Sequence, residues 1–184
     1  MVNYQPFNES TGTTEKFSEQ RIHEWLASRP LQTDRCDWAI IDKDSHEFAG
    51  EVVLNELEPE KNSMNLRISL ADESWANRGI GTESMRLVLA FAFDELKLDK
   101  VALTVLVTNA RAHRSYEKLG FADGRQFNEG KHRWQRMSIT KLQFIEAMCL
   151  REMGKWLSAD WSFTFDSGKR RAGICYYNEK RISL

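Results

Sequence analysis

The residues with the clearest chemistry form one short stretch, Arg78-Gly79-Ile80-Gly81-Thr82, just ahead of a helix-period pattern. Two glycines there let backbone N–H groups converge with no Cβ in the way. The unpaired amides of the first helical turn then point at a common guest, and a phosphate or pyrophosphate suits such a cradle. The plainer alternative is a tight glycine loop with Thr82 as the helix N-cap. Further along, Arg111 and Arg114 are placed either to reach phosphates or to form an exposed helix face. For a general base, Glu51 is a carboxylate on what reads as a central strand, acting directly or through water. Glu56 and Glu73 are alternatives, and each is equally at home as a solvated surface residue. Metal chemistry has no foothold. His23-Glu24 and His46-Glu47 lack the second histidine of H-E-x-x-H, because Ala27 and Gly50 stand there.

The elements that must position these groups follow from periodicity. Met85, Val88, Leu89, Ala92 and Leu96 recur at helical spacing and predict an amphipathic helix behind the glycine loop. Val101–Val107 is a valine-rich apolar run that reads as a strand buried on both faces. Ala110–Leu119 reads as a short helix with Ala112, Tyr116 and Leu119 on one side, stopped by Gly120. Asn109 stands where it can cap that helix. Ahead of the loop, Thr14 and Glu15–Ser28 predict a helix with Phe17, Ile22, Trp25 and Leu26 as its apolar face. Strands are expected at Asp37–Asp42, Phe48–Leu57 and Ser63–Leu70, the last with Met64, Leu66, Ile68 and Leu70 on one face. Phe127 and His132–Thr140 complete a hairpin across Asn128-Glu129-Gly130. Three strands in a meander, then helix, strand, helix and strand, predict an α/β (α+β) fold, a mixed, mostly antiparallel sheet flanked by helices.

Whole-chain properties narrow the function classes. With 184 residues and 41% hydrophobic residues, the chain has enough material for one domain with a core, or one domain with an appendage. A net charge of −1 supplies no field toward nucleic acid or a membrane surface, so neither is an expected partner. No apolar run approaches the ~20 residues of a membrane span. Cys36, Cys149 and Cys175 are odd in number and far apart, as free thiols in a reducing cytoplasm would be.

Taken together, the loop, the long helix, the buried strand, Asn109, Tyr116 and Glu117-Lys118-Leu119-Gly120-Phe121 resemble the GNAT superfamily of acyl-CoA N-acyltransferases over roughly residues 4–144. The likeness is greatest to the branch that acetylates N-terminal amines of ribosomal proteins. The family's Gln/Arg-x-x-Gly-x-Gly/Ala loop is matched at Gly79 and Gly81, but Ala76 stands at its first position, and Arg78 is the candidate substitute. The resemblance implies acetyl-CoA as co-substrate and an amine acceptor, either a protein N-terminus or a small molecule. It implies pyrophosphate held by Arg78, Gly79, Ile80, Gly81 and Thr82, with Arg114 in support, and the pantetheine arm by Asn109. The acyl group would lie where two strands splay apart, with the Leu70 and Ala71 backbone facing the thioester. Tyr116 is the implied acid for the departing thiolate, and Glu51 the paired candidate base. Family members also carry a strand and a helix ahead of the segment matched by Tyr4-Gln5-Pro6-Phe7, which this sequence lacks. The sheet edge is then capped in another way, including by a second copy in a homodimer.

From Lys141 onward the character changes, so the expected division is an acyltransferase domain over 1–140 and an appendage over 141–184. Leu142, Ile145, Cys149, Met153 and Trp156 form a helical stripe, and strands are expected at Trp161–Phe165, Ile174–Tyr177 and Arg181–Leu184. Residues 145–184 resemble the opening of SprT-like zinc peptidase domains and end before their H-E-x-x-H helix, so no metal ligand is carried over. Two rival expectations follow: a non-catalytic CoA-binding or interaction module, and a regulatory part of a SprT-like protease.

Overall fold

A computed structural model of the chain describes residues 18–155 and three later strands. Helix α1 (Glu19–Ser28) starts where the Ser18 side chain accepts the Arg21 amide and gives way to a 3-10 turn containing Pro30. Its expected apolar face is largely uncovered, with Trp25 42% and Leu26 52% exposed, and the Arg29 guanidinium stacks 3.4 Å above the Trp25 ring. The start expected at Thr14, and the question of an opening strand, concern residues outside the description.

Three antiparallel strands follow, β1 (Cys36–Ile41), β2 (Phe48–Glu58) and β3 (Ser63–Leu70), as their alternating patterns predict. Helix α2 (Ile80–Asp94) then crosses over to β4 (Lys100–Leu106), which lies parallel to β3. After the short helix α3 (Ala110–Glu117), the hairpin β5 (Ala122–Glu129) and β6 (His132–Thr140) returns beside β4. The sheet order is β1-β2-β3-β4-β6-β5, and the β3–β4 contact is its only parallel pair among the described residues.

That parallel contact is also short. Ser63, Met64 and Asn65 face Lys100, Val101 and Ala102, and no further pairs form. Beyond them Leu66–Leu70 and Leu103–Leu106 separate, which opens a gap in the middle of the sheet. Residues alternate across the sheet. Met64, Leu66, Val101, Leu103 and Val105 turn toward α2 and join Met85, Val88, Leu89, Ala92 and Phe93 in the core. The other face carries Asn65, Arg67 and Ser69 of β3 and Thr104 of β4, with Glu51 and Val53 brought alongside by register with Ser69 and Arg67. The expected two-sided burial of β4 holds except at Thr104, which is exposed.

Helix α4 (Lys141–Met153) begins with a capping box, in which the Thr140 and Gln143 side chains satisfy each other's backbone amides. Its anchor is Phe144, 8% exposed and 5.7 Å from the Phe93 ring, whereas Leu142 of the expected stripe is 53% exposed. So the helix after residue 140 contributes to the same hydrophobic core as the six-stranded sheet. Gly120 makes this docking feasible: its φ is +97°, and a Cβ there would come within 2.9 Å of both the Gln143 carbonyl oxygen and the Ala147 Cβ. Strands β7 (Ser162–Thr164), β8 (Ile174–Tyr176) and β9 (Arg181–Ser183) form a separate sheet, order β7-β9-β8, and do not extend the six-stranded one. No described helix is long and apolar enough to cross a membrane.

Candidate active site

The gap between β3 and β4 opens into a cleft of about 700 Å³ that passes through the sheet. Leu66, Ile68, Leu70 and Val105 line it from the helix-bearing face, and Asn65, Arg67 and Thr104 from the opposite face. Each mouth is built differently.

At the first mouth stands the start of α2. Gly79 is its N-cap, with φ +83° and no side-chain cap bond, so glycine serves the backbone conformation. A Cβ at Gly79 would touch nothing within 4 Å. Glu83 is the first amide to bond back to the Gly79 carbonyl, which leaves the Ile80, Gly81 and Thr82 amides without intrahelical acceptors. Thr82 therefore lies inside the first turn and is not the N-cap. At Gly81 a Cβ would sit 3.4 Å from Ile68 Cδ1 and 3.8 Å from Leu70 Cδ2, so the small residue allows the helix to lie close on β3. Gly79, Gly81 and Thr82 line the cleft, and Ile80 and Arg78 are not among its lining residues. Arg78 instead covers the Trp75 ring at 4.5 Å and lies 3.9 Å from Asp42.

Helix α3 forms the adjoining wall. The Asn109 side chain accepts the Ala112 amide at 3.1 Å, so it caps the helix, and it also lines the cleft. Arg111 reaches 3.3 Å to Glu73 and ties α3 to the turn ahead of α2, which engages Glu73 in an ion pair. Arg114 and Lys118 also line the cleft, and no described residue forms an ion pair with either. Tyr116 is 9% exposed, its ring set edge-on to Phe121 at 5.8 Å, and it too lines the cleft. Burial pushes its phenol up to about 12, so the hydroxyl keeps its proton across the physiological range.

Leu70 lines the gap itself, whereas Ala71 does not. The Ala71 amide donates to the Ala49 carbonyl at 2.8 Å and is already used. Alternation along an antiparallel edge turns the preceding amide, that of Leu70, the other way, toward the gap. Gly50 opposite Leu70 enforces this close approach: a Cβ there would lie 2.3 Å from the Ser69 carbonyl oxygen and 2.8 Å from the Leu70 Cα.

At the second mouth, Glu51 stands next to the cleft and is not one of its lining residues. Burial pushes its carboxyl above the ordinary range, opposed chiefly by the nearby Arg67 guanidinium. Asp37 and Arg35 form a bidentate pair on the same face, and Arg35 holds the Asp37 carboxyl below its usual range. Glu56 does line the cleft, from a bulge in β2 where its own φ is +54°. Arg67, Asn65, Thr104, Phe127 and Trp134 were not anticipated as site residues. The available signal was the polar half of the β3 alternation, Asn65-x-Arg67-x-Ser69, set between the apolar residues that predicted the strand. Among the described residues, no group of three or more His, Cys, Asp or Glu side chains could hold a metal ion.

Comparison with known proteins agrees with this architecture. The model of the acetyltransferase (GNAT) domain matches residues 2–122, more than half of the chain. An L-amino acid N-acetyltransferase, AaaT, from Escherichia coli K12 is 40% identical over 50 residues; this covers 27% of the chain and only 31% of that protein's length. Among solved structures, spermidine N-acetyltransferase from Vibrio cholerae in complex with CoA and spermine superposes with a TM-score of 0.71 at 20% identity, covering 78% of this chain and 88% of that one. A dodecameric structure of the same enzyme gives 0.63 at 21% identity, covering 72% and 80%. At those identities the superpositions speak for the fold alone. The family match and the gap-splitting sheet, with free amides at the start of α2, together establish that this chain belongs to the GNAT acetyltransferase family.

Proposed function

We propose that the protein is an acetyl-CoA-dependent N-acetyltransferase that transfers the acetyl group directly to a primary amine. One observation carries the reading: a cleft through the sheet, with unpaired helix amides at one mouth and a buried, protonated tyrosine beside the gap. Acetyl-CoA would supply an activated acyl group as a thioester. The amides of Ile80, Gly81 and Thr82 suit its pyrophosphate, and Arg114 adds charge. The Leu70 amide suits the thioester carbonyl; losing such a donor typically costs about 3 kcal/mol of barrier lowering.

Magnitudes separate the two roles open to Tyr116. A phenol near 12 is more than a thousandfold weaker an acid than an ordinary thiol, so full transfer of its proton to a thiolate is uphill. Donating a hydrogen bond to the departing sulfur is not. Tyr116 therefore acts as a hydrogen-bond donor, and the proton that neutralises the thiolate comes from the attacking nitrogen, which becomes acidic once acylated. A protein α-amine with pKa near ~8 needs little help to lose its first proton, a small-molecule amine nearer ~10 needs more, and Glu51, acting through water, would take it.

The acceptor is a small amine or a protein N-terminus. Relatives act on an L-amino acid and on spermidine, which favours the small-molecule reading, and the ribosomal-protein-like loop pattern keeps the protein N-terminus as the second. A neighbour in fold is dodecameric, and the uncovered apolar side of α1 suits a homo-oligomer here. The test is thermal unfolding with acetyl-CoA, using ATP as control anion, followed by thiol release with an amine panel. At 100-fold over Kd the ligand adds about 2.7 kcal/mol, several degrees for a chain of this size. A shift with no thiol release on any amine would replace this reading with a CoA-binding module, and no shift would remove both.

A further inference from the structure

Arg67 is a cleft-lining arginine that the acyl-transfer account leaves unused. It stands in the middle of β3, three residues before Leu70, on the face opposite the helices, and it is exposed at the second mouth of the cleft. Most other arginines near the site are already engaged: Arg111 with Glu73, Arg78 with Asp42 and Trp75, and Arg35 with both carboxylate oxygens of Asp37. No described residue forms an ion pair or hydrogen bond with the Arg67 guanidinium. Glu51, one strand away by register with Ser69, is close enough to influence Arg67 electrostatically and is not in contact with it. The second mouth thus presents a guanidinium with no ion-pair partner among the described residues and a carboxylate one strand away, on the strands that lead to the Leu70 amide.

This pattern matches one class of acceptor. A guanidinium is a planar fork suited to a carboxylate, and a carboxylate accepts an ammonium or takes its proton. A molecule carrying both an amine and a carboxylate a few ångströms apart complements both. A polyamine carries only positive charge, and Arg67 on the very strand that offers the acyl-binding amide would repel it. A protein N-terminus has its amine but, one bond further on, a neutral amide where the carboxylate would be. The other carboxylates of the cleft, Glu56 and Glu129, could serve an ammonium group, so they do not by themselves distinguish the classes.

Resting on the acetyltransferase reading, we propose that the acceptor is a free α-amino acid, with Arg67 as the specificity-determining residue that binds its α-carboxylate. About 10 Å of strand separates the Arg67 and Leu70 Cα atoms, a span that the arginine side chain and a bound amino acid can divide between them. Binding the carboxylate there directs the α-amine toward the gap.

The experiment compares matched acceptors by thiol release with acetyl-CoA: amino acids against their α-amides, with spermidine and a short peptide alongside. The acids are expected to exceed their amides at least tenfold in kcat/KM, chiefly through KM. In Arg67→Gln the ratio should collapse toward one, and Arg67→Lys should restore part of it. The thermal shift produced by acetyl-CoA should be the same in all three proteins, which separates acceptor recognition from a folding defect. An unchanged acid-to-amide ratio in Arg67→Gln overturns the inference. So does a preference for spermidine or peptide, or an acetyl-CoA shift with no transfer to any amino acid; these leave CoA binding intact. Absence of the acetyl-CoA shift overturns the underlying reading as well.

Discussion

The two mouths of the cleft are made in opposite ways. The first mouth is built from consecutive residues, Gly79 through Thr82, where the Ile80, Gly81 and Thr82 amides have no intrahelical acceptor because a helix starts there. The second mouth draws Glu51, Arg67 and Thr104 from three strands, the first two neighbours by β2–β3 register and the third across the gap where the β3–β4 pairing has stopped. The first depends on local backbone conformation and tolerates change nearby as long as the glycines remain. The second depends on the sheet, and a displacement of β3 moves every group in it at once. In a transferase that holds one constant donor and selects an acceptor, this division places the variable chemistry where side chains, not backbone, make the contacts.

The largest expected effect comes from the one position that supports both mouths. Gly50→Ala drives a Cβ into the Ser69 and Leu70 backbone, and we expect a loss of about 3 kcal/mol, or about 6 to 12 °C in Tm, with activity falling too. A Tm within a degree or two of the parent would mean that β3 is not held as tightly as both mouths require. Tyr116→Phe is next: kcat should drop about 100-fold with the KM for acetyl-CoA unchanged, since the hydroxyl acts after the donor is bound. The same variant has a stability signature. Folding raises the phenol from about 10 to about 12, so that stabilisation is complete below pH 10 and is lost as pH rises through about 12. The alkaline limb of a pH–stability curve between those values should flatten in Tyr116→Phe.

Smaller effects distinguish the mouths from each other. Gly79→Val forces a β-branched residue to a φ of +83° and should weaken acetyl-CoA about tenfold, read from calorimetry, while acceptor KM stays constant. At the other mouth, Glu51→Gln should leave acetyl-CoA binding unchanged and lower kcat/KM by about tenfold below pH 7. Its effect should fade as pH rises through the acceptor amine's own pKa, above which that amine is already largely neutral. If Gly79→Val altered acceptor KM, or Glu51→Gln altered acetyl-CoA affinity, the two mouths would not be the independent units described here.

The sequence by itself determined what depends on neighbours along the chain. Helix α2 follows from Met85, Val88, Leu89 and Ala92, and all four are buried; the Ser63–Leu70 strand follows from its alternation. The glycine cradle and the Gly120 stop follow from residues that tolerate positive φ. Tertiary structure decided everything that depends on which strand lies beside which. Ala71 was expected to share the oxyanion role with Leu70, but its amide is consumed by Ala49, a partner set by the β2–β3 register. Arg78 turns to Trp75 and Asp42, neither of which marks itself as its partner in the sequence. α4 buries Phe144 because the Phe93 ring is there to receive it, although the stripe through Leu142 has the better periodicity. Arg67 reads as one polar residue in an alternating strand until the β3–β4 pairing stops after three residues and leaves it at the edge of a gap. Local propensity and periodicity act over a few residues and are written in order along the chain. Register and strand separation are set by contacts between residues dozens of positions apart, and only folding brings those together.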